Sequence, residues 1–174
     1  MSDCDFTLGN IMENPLKGFW QKVVIVSANG YLQGRSDVFN ALIDPRAFHT
    51  CVSRAVMDNI LETVVDKDGN KLKNAGKTNA QGVYGKVYQA SVYILPHFYL
   101  GAIHLEDVAA AVLETNNIQC LIGRSILHQC ILTLNPELNN MRFVFKEKLK
   151  PYKKLIDGFL PFGDVYEHAE FSGA

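Results

Sequence analysis

Cys120-Leu121-Ile122-Gly123-Arg124-Ser125-Ile126-Leu127 reads as an apolar strand that turns through a glycine into a short helix. A second stretch of similar character, Ala41-Leu42-Ile43-Asp44, reads as an apolar strand that delivers a carboxylate to a turn. N-terminal to this pair, the run Phe19 to Ser27 contains Val23-Val24-Ile25-Val26, a buried-strand signal. Asn29-Gly30 follows it as a reversal, because both residues tolerate positive φ, and leads into a second strand over Val38 to Ile43. Beyond Asp44, Val52, Val56 and Ile60 recur every four positions with Met57 and Leu61 alongside, the period of a short amphipathic helix opened by Thr50 or Ser53.

The remaining segments are mostly short and β-like. Val87 to Leu95 alternates as a half-buried strand. Residues 101 to 113, centred on Val108-Ala109-Ala110-Ala111-Val112, fit helix or strand equally by pattern. Arg124 to Cys130 fits a short helix, and Ile131 to Leu134 with Met141 to Phe145 fits a hairpin joined through Asn135-Pro136-Glu137-Leu138-Asn139-Asn140. The polar run from Asp66 to Gly82 fits a mobile hairpin; a calcium loop is excluded, since Lys71 and Lys77 stand where Gly and a bidentate Glu are needed. The expectation is a mostly all-β, closed barrel-like domain with one or two short helices. It spans 19–146, after an irregular lead-in over 1–18 and before a C-terminal extension over 147–174 that begins among Lys146, Lys148, Lys150, Lys153 and Lys154.

Composition narrows the function. In 174 residues, 17 Lys and Arg stand against 18 Asp and Glu, so no global charge draws the chain onto nucleic acid or anionic lipid. No apolar run approaches the roughly 20 residues of a bilayer span, and the start Met1-Ser2-Asp3-Cys4-Asp5 lacks the basic and apolar regions of a signal peptide, so a cytoplasmic location is expected. The four cysteines, at 4, 51, 120 and 130, show no paired spacing and read as reduced, packing thiols. His49, His97, His104, His128 and His168 show no metal-ligand spacing, so no metal and no cofactor is expected.

The two turn-bearing strands, with the hairpin between them and Thr50-Cys51-Val52-Ser53-Arg54-Ala55-Val56 after the aspartate, resemble the retropepsin-like aspartic protease family over about residues 20 to 146. The resemblance implies a closed acid-protease barrel and a homodimer that binds an extended polypeptide. Asp44 from each protomer would form a pair sharing one proton, because carboxylates about 3 Å apart do not both ionise easily, and the pair would activate water against a peptide carbonyl. It further implies that Gly123 and Arg124 are structural, that Phe48 and His49 lie on the substrate side, and that Gly82, Tyr84 and Gly85 belong to a flap over bound peptide.

The family's turn reads Asp-Thr/Ser-Gly, whereas this chain has Asp44-Pro45-Arg46-Ala47. Pro45 supplies neither hydroxyl nor backbone N–H, and Arg46 puts a bulky cation where the pattern has no side chain. A plainer reading of Asp44-Pro45 is a turn opener. Two functions therefore stay open: an aspartic endopeptidase using Asp44, or an inactive relative that binds peptide or serves in an assembly. Where retroviral members place an acidic partner for the arginine, this chain has Phe48, which leaves the partner of Arg124 to be found.

Overall fold

The computed structural model describes residues 4–9, 19–81, 87–101, 103–114, 117–135 and 140–145. Among the described residues, ten strands and two α-helices follow in the order β1 (Cys4–Gly9), β2 (Phe19–Val26), β3 (Phe39–Ile43), β4 (Cys51–Ser53), α1 (Arg54–Thr63), β5 (Gly76–Gln81), β6 (Val87–Leu100), β7 (Ile103–Leu113), β8 (Cys120–Ile122), α2 (Arg124–Leu127), β9 (Cys130–Asn135) and β10 (Asn140–Phe145). Seven strands form one sheet in the order β2-β3-β8-β4-β7-β6-β5, and an added β2–β6 pairing closes six of them into a barrel with β5 outside the ring. The barrel is mixed: β3–β8 and β4–β7 are parallel, while its other neighbours are antiparallel. Closure leaves those six strands without an open edge along the ring.

Alternation fixes which residues enter the core. In β3 the buried positions are Phe39, Ala41 and Ile43, and they meet Val23, Ile25, Leu95, Phe98, Val108 and Ile122 inside the barrel. The ambiguous segment 101 to 113 is strand β7, held by antiparallel register to β6 from Val92↔Ala111 to Leu100↔Ile103. Its run Val108 to Val112 is buried throughout, so tertiary context rather than period decides the conformation. Pro96 sits in β6 where that strand passes from pairing β5 to pairing β2, a place where its missing N–H breaks no ladder to either.

Helix α1 starts at Ser53, whose Oγ accepts from Val56 N at 3.3 Å. Met57 and Ile60 are its buried residues, Val56 and Leu61 pack partly against the core, and Val52 belongs to β4 rather than to the helix. The reversal after β2 is longer than a two-residue hairpin: a single bridge, Val26↔Arg35, and a 3-10 turn over Tyr31–Gln33 precede β3. Gly34 has φ 137°, and a Cβ there would stand 2.0 Å from Thr63 O, so only glycine fits.

The segment 1–18, expected as irregular, contains β1, which pairs antiparallel with β10, itself paired to β9. The ends of the described chain thus meet in a separate three-stranded sheet. Its signal was weak because Phe6 and Leu8 are the only large apolar residues between Asp5 and Asn10. Among the described residues no helix is long and apolar enough to cross a membrane. The C-terminal extension 147–174 lies outside the described residues.

Candidate active site

Parallel pairing of Ile43 with Ile122 sets the end of β3 beside the end of β8, and Asp44 N continues it by donating to Ile122 O at 3.0 Å. The chain then reverses: Ala47 N donates to Asp44 O at 3.1 Å, with Pro45 at the first central position, where its fixed φ suits the turn and its missing N–H is not needed. Asp44 Oδ1 accepts from Arg46 N at 2.9 Å, so the backbone of the turn grips the carboxylate. Arg46 Nε lies 3.8 Å from the same oxygen, with Asp44 24% and Arg46 95% exposed. An ion pair on so exposed a side chain is screened by water and holds the carboxylate far less firmly than the turn N–H does.

Gly123 is where the two turns touch. A Cβ on it would stand 2.3 Å from His49 O and 2.9 Å from Ala47 O, so the residue is glycine because two carbonyls pack against its Cα. The next amides complete the join: Arg124 N donates to Ala47 O at 2.8 Å and Ser125 N to Phe48 O at 3.1 Å. These are the N–H groups that the first turn of a helix leaves unpaired, so the loop after Asp44 caps α2 with its own carbonyls.

Beneath this join lies a buried hydroxyl pair that no short-range pattern in the sequence marks as part of the site. Thr50 Oγ1 accepts from Gly123 N at 3.3 Å and lies 3.0 Å from Ser125 Oγ, which accepts from Thr50 N at 3.1 Å. Thr50 is wholly buried, Ser125 nearly so, and each hydroxyl satisfies a backbone group that would otherwise be costly to bury. Thr50 is therefore a positioning residue rather than the helix cap; its only signal in sequence is a hydroxyl beside the apolar pair Cys51-Val52.

Arg124 meets the ring of Phe48. Its guanidinium carbon lies 4.2 Å from the Phe48 ring centroid, and Nη2 donates to Arg46 O at 3.4 Å. A cation over a ring face thus ties the start of α2 to the loop after Asp44. The same positive charge, together with burial as the larger cause, pushes His128 down to about 4. His49 Nε2 lies 3.3 Å from Thr78 Oγ1 on β5, which links the aspartate loop to the strand entering residues 82 to 86. Burial lowers His49 as well.

Asp44, Pro45, Arg46, Ala47, Phe48, His49, Gly123 and Arg124 are thus brought together at one end of the barrel. Gly82, Tyr84 and Gly85, the expected flap tip, lie outside the described residues. Cys51 and Cys120 are free and buried; burial pushes the Cys51 thiol up to about 12 and raises Cys120 too, so both are packing thiols and neither is a nucleophile.

A closed, mixed six-stranded barrel with few short helices is the retropepsin-like fold. Among solved structures the chain is similar to a retropepsin-like aspartic protease from Rickettsia conorii, with a TM-score of 0.50 and 15% identity over 83% of this chain and 92% of that one. At that identity the likeness is one of fold. No protein-family model and no curated protein sequence matches the chain.

Proposed function

We propose that this chain is a retropepsin-like domain that binds an extended polypeptide across a homodimer, with Asp44 of each copy at the catalytic position and hydrolysis held low by Pro45-Arg46. The observation that carries the reading is the carboxylate of Asp44, partly exposed at the end of β3 and gripped by Arg46 N while the loop behind it is fixed to Gly123 and Arg124. A single chain supplies one such carboxylate, and acid–base exchange between paired aspartates needs two, hence the dimer. His49 and Thr78 join the turn to the flap-side strand, where peptide would lie.

A second reading, a peptide-binding or assembly module without hydrolysis, is favoured by the turn itself. Pro45 offers no donor, and Arg46 keeps a cation beside Asp44 Oδ1. Digesting an unbiased peptide library at pH 4 to 7 separates the two. The expected result is slow cleavage that Asp44→Asn abolishes; peptides retained by the chain but never cut would replace the first reading with the second, and neither binding nor cleavage would remove both.

A further inference from the structure

The hairpin β6–β7 carries a cluster that the Asp44 site does not use. Its register sets His97 opposite Glu106 and Tyr99 opposite His104. With a side-chain period of two, these four share the outer face, while Phe98, Leu100, Ile103 and Leu105 between them fill the core. One ligand atom from each of His97, His104 and Glu106 lies within 4.8 Å of the other two. Spacing along the sequence hides this group, because its members come from two strands of a hairpin and are neighbours only through pairing.

We propose that His97 Nδ1, His104 Nε2 and a Glu106 carboxylate oxygen form a three-ligand site for a divalent first-row cation, zinc in particular, at the barrel end away from Asp44. Two histidines and one carboxylate are a borderline-soft N,N,O set suited to that ion, with water completing a tetrahedron. His97 Nε2 lies 2.9 Å from Ala28 O. A carbonyl only accepts, so Nε2 carries the ring proton and Nδ1 turns its lone pair toward His104, an arrangement that orients a metal-binding imidazole.

His104 is held as well, its ring stacked on Tyr99 at 4.6 Å between centroids and 9° between planes. His97 Nδ1 and His104 Nε2 are 2.8 Å apart, the separation of a hydrogen bond. Ligands bound at about 2.0 to 2.2 Å in a tetrahedron stand roughly 3.3 Å apart, so the rings need to part by only about half an ångström. On binding, the His104 proton leaves Nε2 and Nδ1 takes one up from solvent, so the imidazole stays neutral. His104 and Glu106 are exposed, which gives the ion a way in.

The site is separate from the aspartate turn. Val26 pairs with His97 at one end of β2 and Phe19 with Ile43 at the other, so roughly 23 Å of strand lies between them at about 3.3 Å per residue. An ion there would clip the β6–β7 hairpin next to the turn after β2, tightening the barrel where β2 and β6 close it.

A hydrogen-bonded histidine pair alone would produce the 2.8 Å contact without any part for Glu106, so Glu106 is the discriminating residue. Zinc chloride titrated into the full chain by calorimetry should bind one ion per chain with micromolar Kd and raise Tm by about 5 to 10 °C at a hundredfold excess over Kd. Glu106→Gln and His104→Asn should each weaken binding at least about 10-fold. Cobalt should give the visible absorption of a four- or five-coordinate site in the parent chain and lose it in either variant. Glu106 is exposed, so its glutamine variant carries the test if His104→Asn disturbs the hairpin. Millimolar binding by the parent chain, or zinc affinity unchanged by Glu106→Gln, would overturn the site.

Discussion

Replacing Pro45 with Thr and Arg46 with Gly should raise peptidase activity by about 10²-fold or more over the parent chain, because each restored donor in a preorganised site is worth a few kcal/mol in the transition state. The backbone already meets the requirement for this rescue. Asp44 N is fixed to Ile122 O, and Arg46 N, which a glycine would keep, already donates to Asp44 Oδ1. What the turn lacks is a hydroxyl at position 45, and what it adds is a 95% exposed cation at position 46. The exposed ion pair is the weaker of the two effects, so Arg46→Gly alone should recover less than Pro45→Thr alone. Adding Asp44→Asn to the double variant should abolish the gain. A restored chain that dimerises and cuts nothing would show that the turn is not what limits hydrolysis.

The second large effect is on folding. Gly123→Ala should cost about 3 kcal/mol or more, a substantial share of the roughly 5 to 15 kcal/mol that stabilises a domain of this size. The added methyl would meet His49 O at 2.3 Å and His49 C at 2.6 Å, and backbone cannot swing aside as a side chain can. Moving that loop would also strain the bonds from Arg124 N and Ser125 N to Ala47 O and Phe48 O. Gly69→Ala is the comparison: its φ is 79°, but nothing lies within 4 Å of the new Cβ, so the loss should be about 1 to 2 kcal/mol of backbone strain. Urea unfolding of the two variants against the parent measures the difference, and equal midpoints for Gly123→Ala and Gly69→Ala would contradict the close-packed turn.

The barrel was legible where local chemistry and tertiary demand agree. Val23 to Val26, Ala41 to Ile43 and Cys120 to Ile122 are apolar strands in sequence and in space, and the period of Met57 and Ile60 gives α1 its buried face. Residues 101 to 113 were ambiguous because an alanine-rich run buried on all sides carries no period; only pairing with β6 makes it a strand.

At the site, the aspartate turn and the Gly-Arg start of α2 were readable because each has a short-range signature. Thr50 and Ser125 were not, since their contact spans 75 residues of sequence and depends on the parallel pairing of β3 with β8. The Arg124–Phe48 contact was hidden for a different reason. The sequence shows only that residue 48 is aromatic, and a cation over an aromatic face can be recognised only in three dimensions. His97, His104 and Glu106 likewise meet through hairpin register and not through spacing.

In the proposed function one chain holds half a site. Sedimentation equilibrium at tens of micromolar protein tests it most directly, since the monomer mass is 19.4 kDa. The expected result is a species of twice that mass, in equilibrium with monomer on dilution. A single 19.4 kDa species across the whole concentration range, with and without peptide, would contradict it.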